Sequence, residues 1–302
     1  MTKQYFFPLL AALFLSGVSG LSGRGPTQDA PKFVPLKTNT ASGDPTLNAS
    51  SFSVTPRSMA PKIGEAFKDC AECPDLVLIS SGNYLMGGKH AISIDRNLAV
   101  GKFEITQKQW RSIMSLPSMI NPTRFAACGM NCSAEQVGWH YANVYITELN
   151  KKTGLKFRMF TEAVWEYAAR AGTDNKYGFG NDERALLNYA WLYENGGDPT
   201  HKVGLKKPNL WGPHDIHGNV SEWTQDCYAN KHSSNLGDGN AVILADCGQR
   251  VARGGTWRDA PHISKATMRN SVSPSFKIPT LGFRVVRNVA LLPSTQKLND
   301  TK

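Results

Sequence analysis

The first chemical choice in this chain lies in its six cysteines. They fall into three close groups: Cys70 with Cys73, Cys128 with Cys132, and Cys227 with Cys247. Cys70-Ala-Glu-Cys73 has the spacing of a redox pair, which needs a helix N-terminus or a nearby cation to hold a thiolate. The run that follows it, Asp75 to Ile79, reads as a strand, so a structural bridge is expected instead. Zinc is disfavoured too, because the groups lack the spacing of a paired Cys-x-x-Cys knuckle. In an oxidising compartment an even cysteine count reads as a disulfide framework, and near-neighbour pairing is the expected connectivity.

A second donor set is made of oxygen. Asp215 and Glu222 flank a glycine that lets backbone carbonyls turn inward, which is the kind of ligand set calcium takes. The competing reading is that both carboxylates only cap turns by accepting from backbone N–H groups. His214 and His217 are spaced to share a helical face, but their segment reads as a turn. Hydrogen-bonding or surface roles are expected of them rather than metal ligation.

The compartment is read from the first residues. Lys3 supplies a positive charge, Tyr5 to Leu15 is apolar, and Val18 and Gly20 are small, which is the pattern of a Sec-type signal peptide over 1–20. The apolar run is shorter than the roughly 20 residues a membrane helix needs, so no stable span is expected. Residues 21–60 are rich in Pro, Ser, Thr and Gly and nearly bare of periodic apolar residues, so they read as a flexible tether. Residues 61–290 then form one domain and 291–302 a disordered tail. Together these features place the mature chain in the periplasm or outside the cell.

The formal net charge is +10 with a pI near 9.3. The Lys and Arg residues are scattered, with no basic stripe carrying interleaved aromatics, so nucleic-acid binding is not expected. Thr106 with Gln109 reads as a capping box opening a short helix. Trp139 to Leu149 and Glu162 to Ala171 read as two further helices, the latter capped by Thr161 and ended by Gly172. Short strands surround them, so the fold class is α+β in a single turn-rich domain. No phosphate-binding glycine loop occurs.

Seven segments in order give the chain its family character. They are DLVLISSGNYLMGG (Asp75 to Gly88), FEITQKQW (Phe103 to Trp110), RMFTEAVWEYAARAG (Arg158 to Gly172) and VGLKKPN (Val203 to Asn209). GPHDIHGNVSEW (Gly212 to Trp223), RGGTW (Arg253 to Trp257) and LGFR (Leu281 to Arg284) complete the set. In this order and spacing they resemble the formylglycine-generating-enzyme family, also called sulfatase-modifying factors, from about Cys70 to Arg287. The resemblance implies an irregular, calcium-stabilised fold distantly like C-type lectins. It also implies a calcium held by Asp215, the carbonyls of Gly218 and Val220, and Glu222.

The same resemblance marks a departure. The enzymes of the family bind copper through two cysteines, and a soft Cu(I) ion needs thiolates. In register, Asp259 and Ser264 stand at those positions, and Ser221 stands where the family has an aromatic residue. Copper-thiolate chemistry is therefore not expected. An exported, single-domain branch without those cysteines is similar, and it includes a protein required for oxidising the chromophore precursor of the siderophore pyoverdine. The pocket would be lined by Thr256, Trp257, Arg258, Asp259, His262 and Ser264, with Ser221 opposite. Asp259 and His262 could share a proton and take one from a phenol or ring amine during oxidation. The alternative pairs Asp259 with Arg258 or Arg269 and leaves His262 on the surface. The expected partner is a small peptide-derived metabolite or a protein substrate. Whether a redox metal takes part is left open, as is a purely binding role toward a peptide, a glycan or a secretion-system partner.

Overall fold

A computed structural model describes residues 61–114, 122–230 and 237–289. The signal peptide, the tether and the C-terminal tail expected from the sequence lie outside these residues. Among those described, no helix is long and apolar enough to cross a membrane.

Strand β2 (Leu76–Ile79) shows how the core is organised. All four of its residues are buried, and alternate side chains of a strand point to opposite faces. Leu76 and Leu78 enter one apolar cluster with Trp110, Tyr145, Trp223 and Phe283, while Val77 and Ile79 enter another with Phe160, Trp165 and Tyr167. The sheet that contains β2 is therefore a partition between two cores. Its other strands are β1 (Ala66–Phe67), β5 (Leu98–Gly101), β6 (Arg158–Met159) and β11 (Val285–Asn288), in the order β1-β2-β5-β11-β6.

A second sheet has the order β10-β7-β8-β9, from β7 (Ser221–Cys227), β8 (Arg250–Arg253), β9 (Arg269–Val272) and β10 (Leu281–Phe283). The β10–β7 pair is parallel and the others are antiparallel. A hairpin, β3 (Gly82–Met86) with β4 (His90–Ile94), stands apart as a two-stranded sheet. The sequence reads one strand from Gly282 to Arg287. The structure breaks it at Arg284, because β10 belongs to the second sheet and β11 to the first. One polar residue, rather than a turn signal, is the point where the chain changes sheets.

Among the described residues three helices have seven residues or more. The capping box of α1 (Gln107–Ile113) forms as its sequence predicts, with Gln109 N donating to Thr106 Oγ1 and Thr106 N to Gln109 Oε1. Helix α2 (Trp139–Thr153) runs one turn beyond its apolar pattern and stops at Gly154, which takes the left-handed conformation. Helix α3 (Glu162–Arg170) is buried at every position, Glu162, Glu166 and Arg170 included. Buried charge is tolerated only when paired. Glu166 meets Arg170 and Arg253, and Glu162 meets Arg269.

The cysteines pair as Cys70–Cys73, Cys128–Cys132 and Cys227–Cys247, which leaves no free thiol. The last bridge closes a loop with a sequence separation of 20, worth about 3 kcal/mol in the chain-entropy account.

One buried acid makes stability depend on pH. Asp226 accepts from Glu162 N and Val242 N, and burial pushes its pKa up to about 7, with Glu162 adding to the rise and Arg253 opposing it. A raised carboxyl stabilises the fold fully below its unfolded pKa and loses that contribution as pH rises through the folded value. Melting temperature is expected to fall between pH 5 and pH 8, by an equivalent of at least about 1 kcal/mol. Asp226→Asn should flatten that fall; an equally steep profile in the variant would assign the dependence to another group.

Candidate functional site

A cavity of about 560 Å³ opens over one face of the second sheet. Its walls include Ser221 from β7, Ala252 from β8, Met268 just before β9, and Asn270 and Val272 along it. Thr256, Arg258 and Asp259 come from the loop after β8, and residues 278–281 close the opposite side. Four of the seven pocket residues expected from the sequence thus line it: Ser221, Thr256, Arg258 and Asp259.

The loop is held in shape by its glycines. A Cβ on Gly255 would lie 2.1 Å from Ser264 Oγ and 2.6 Å from the carbonyl of His217. Only glycine fits there. Asp259 Oδ2 accepts from Thr256 N at 2.9 Å, and Asp259 N returns a bond to Thr256 O. Burial raises the Asp259 carboxyl, while its bonds to Thr256 oppose the shift. A carboxylate in a half-closed cavity with a raised pKa is a better proton acceptor than an exposed one.

The remaining three pocket residues sit elsewhere, and the expected acid–imidazole pair does not form. His262 is exposed on a short 3-10 turn, Pro261–Ile263, outside the cavity wall. Ser264 is fully buried behind the loop and donates to Ala260 O. Trp257 is buried as well, with Nε1 on Pro279 O and its ring against Phe125. A 3-10 turn begins between Asp259 and His262, so a spacing of three sends the two side chains apart. The salt bridges considered for Asp259 are also absent among the described residues: Arg258 approaches Asp198 and Arg269 binds Glu162. Reading the sequence alone missed Met268, Asn270 and Val272. Their i, i+2 spacing into and along a strand was the signal that could have found them.

Next to the cavity, three buried carboxylates surround one guanidinium. Arg284 donates to both oxygens of Glu222 and to the carbonyls of Gly101 and His214. Glu222 Oε2 also accepts from Trp165 Nε1 at 3.0 Å. Glu104 binds Ser133 Oγ and Asn219 Nδ2. Asp215, held at φ +59°, accepts from Gly204 N through Oδ2, but its buried Oδ1 has no partner. Burial pushes Asp215 up to about 6 and Glu104 well above the usual range, with the neighbouring carboxylates reinforcing both shifts.

The feature of this cluster that bears on a cation is the buried Asp215 Oδ1, which has no hydrogen-bond partner among the described residues. This pattern suits calcium, although no group of three or more His, Cys, Asp or Glu side chains among the described residues could hold a metal alone. A calcium here would need backbone carbonyls, which the ion accepts readily. His214 and His217 take no part. His214 Nδ1 bonds Lys206 O, while buried His217 bonds Ser264 O and is pushed down to about 4 by desolvation.

With that geometry in hand, known proteins supply the class. The chain belongs to the sulfatase-modifying factor family: the Sulfatase-modifying factor enzyme 1-like domain matches residues 62–289. The chaperone protein LppX of Paenibacillus barcinonensis is 25% identical over 269 residues, covering 71% of this chain and 89% of that protein. The inactive C-alpha-formylglycine-generating enzyme 2 of Bos taurus is 30% identical over 163 residues, spanning 49% of this chain and 48% of its own length. Among solved structures, PvdO from Pseudomonas aeruginosa superposes with a TM-score of 0.69 at 29% identity, covering 76% of this chain and all of that one (100%).

Proposed function

We propose that this protein is an exported maturation factor that binds a peptide-derived metabolite in the Asp259 pocket and assists its oxidation without thiolate-bound copper. A siderophore chromophore precursor, such as that of pyoverdine, has the phenolic and ring-amine groups this reading requires. The observation that carries it is the cavity itself. It offers a carboxylate from Asp259 and hydroxyls from Thr256 and Ser221, and the chain has no free thiol to bind copper there. Asp259, fixed by Thr256 N, would take one proton from the bound ring as dioxygen accepts two electrons from it, and that proton with a second from the ring would leave on the hydrogen peroxide formed. The apolar wall of Met268, Val272 and Leu281 would hold the ring and exclude water.

Deleting the gene and profiling exported metabolites by mass spectrometry tests the proposal. Accumulation of a reduced precursor is the expected result; an unchanged profile would overturn it. A second reading, a binding module without chemistry, is favoured by the outward position of His262, which removes a proton relay. The description of LppX as a chaperone is in keeping with that reading.

Calcium has a structural place in this proposal. Asp215, through its free Oδ1, and Glu222 would hold the ion together with the carbonyls of Gly218 and Val220. The ion would supply positive charge to a buried acidic cluster. Adding millimolar calcium to chelated protein should raise its melting temperature, and Asp215→Ala should abolish the gain. An equal gain in the variant would remove these residues from the site.

A further inference from the structure

A second cavity, about 270 Å³, opens beside the edge strand β6 and away from the Asp259 pocket. Arg158 and Arg96 reach it together with Asp95, Asp238, Asn240 and Asn288, and Leu98 and Val164 add apolar surface to the wall. Arg158 is the anomaly in this wall.

Its side chain makes one hydrogen bond among the described residues, from Nη1 to the carbonyl of its own neighbour Met159. The other buried or half-buried arginines are compensated. Arg170, Arg253, Arg269, Arg284 and Arg287 each meet a carboxylate, and Arg250 lies on the face of Trp139. Arg158 has neither kind of partner. Burial depresses its guanidinium, the Asp226 carboxylate opposes that shift, and the like charge of Arg96 adds a smaller depression. The nearby acids are already engaged. Asp95 binds Arg96 through both oxygens, Asp238 binds Asn240, and Asp226 accepts from two backbone N–H groups.

An uncompensated guanidinium removed from water is costly unless something pairs with it. A guanidinium fork matches a planar carboxylate through two parallel N–H···O bonds. From this placement we infer that the Arg158 cavity binds a small carboxylate anion. Arg158 grips the two oxygens, and Leu98 and Val164 contact the carbon chain. The site does not depend on the proposed function, because it shares no residue with the Asp259 pocket.

Succinate is the probe, titrated calorimetrically into the folded protein at constant ionic strength, with sodium chloride as the control. Wild type and Asp259→Ala should bind it equally. Arg158→Gln should weaken binding about tenfold or more, and Arg158→Lys should fall between, since a point charge cannot form the fork. On the wild-type protein, amide NMR signals of Gly239 and Asn240 should shift with succinate while those of Leu281 stay fixed. That measurement decides the matter if Arg158→Gln fails to fold. Undiminished affinity in Arg158→Gln, or unmoved Gly239 and Asn240 signals at about 10 mM succinate, would overturn the site.

Discussion

Arg284→Met is expected to destabilise the protein by about 3–5 kcal/mol, because it strands a buried charge cluster. Arg284 is 0% exposed and is the guanidinium to which both oxygens of Glu222 are bonded. It also holds the carbonyls of Gly101 and His214, tying β5 to the loop before β7. Without it, Glu104, Asp215 and Glu222 would have to protonate or admit water. Arg284→Met/Glu222→Leu should recover part of the loss, since an apolar pair leaves fewer charges unmatched. Urea unfolding of the three proteins checks this. A cost under about 1 kcal/mol in the single variant would mean that the cluster is hydrated and not a structural keystone.

Asn219→Ala should cost about 2–4 kcal/mol, from more than one buried partner left unpaired. Asn219 is fully buried at φ +63°. Its Oδ1 accepts from Thr200 Oγ1 and His201 N, and its Nδ2 donates to Glu104 and Ser133. Its carbonyl accepts from Trp257 N, one residue beyond Thr256 in the pocket loop. The variant should therefore loosen the Asp259 pocket as well as the fold. Thermal unfolding together with hydrogen exchange at Trp257 N measures both effects. Full stability with unchanged protection would show that the network is redundant.

The sequence was informative where local rules dominate. The capping box at Thr106, the stop at Gly154 and the buried run Leu76–Ile79 follow from spacing and propensity alone, and they form as read. The pocket loop was half legible. Thr256 and Asp259 reach the cavity, but the turn at Pro261 redirects His262, and one-dimensional spacing cannot foresee a 3-10 turn. Least legible were the buried ion pairs. Glu162, Glu166 and Arg253 look like solvated surface charges in sequence, and only the packing of α3 against β7 and β8 brings them inside. The break at Arg284 was hidden for the same reason: apolar residues stand on both sides of it, Leu281 and Phe283 before and Val285 and Val286 after, and only the two sheets tell them apart.

In the proposed function Asp259 would do the work of the pocket without sulfur. A strain lacking the gene should be complemented with wild type, Asp259→Ala and His262→Ala, and its exported metabolites examined by mass spectrometry. The account predicts mature product from wild type and His262→Ala, and unmatured precursor from Asp259→Ala at an equal level of folded protein. Full maturation by Asp259→Ala would contradict it.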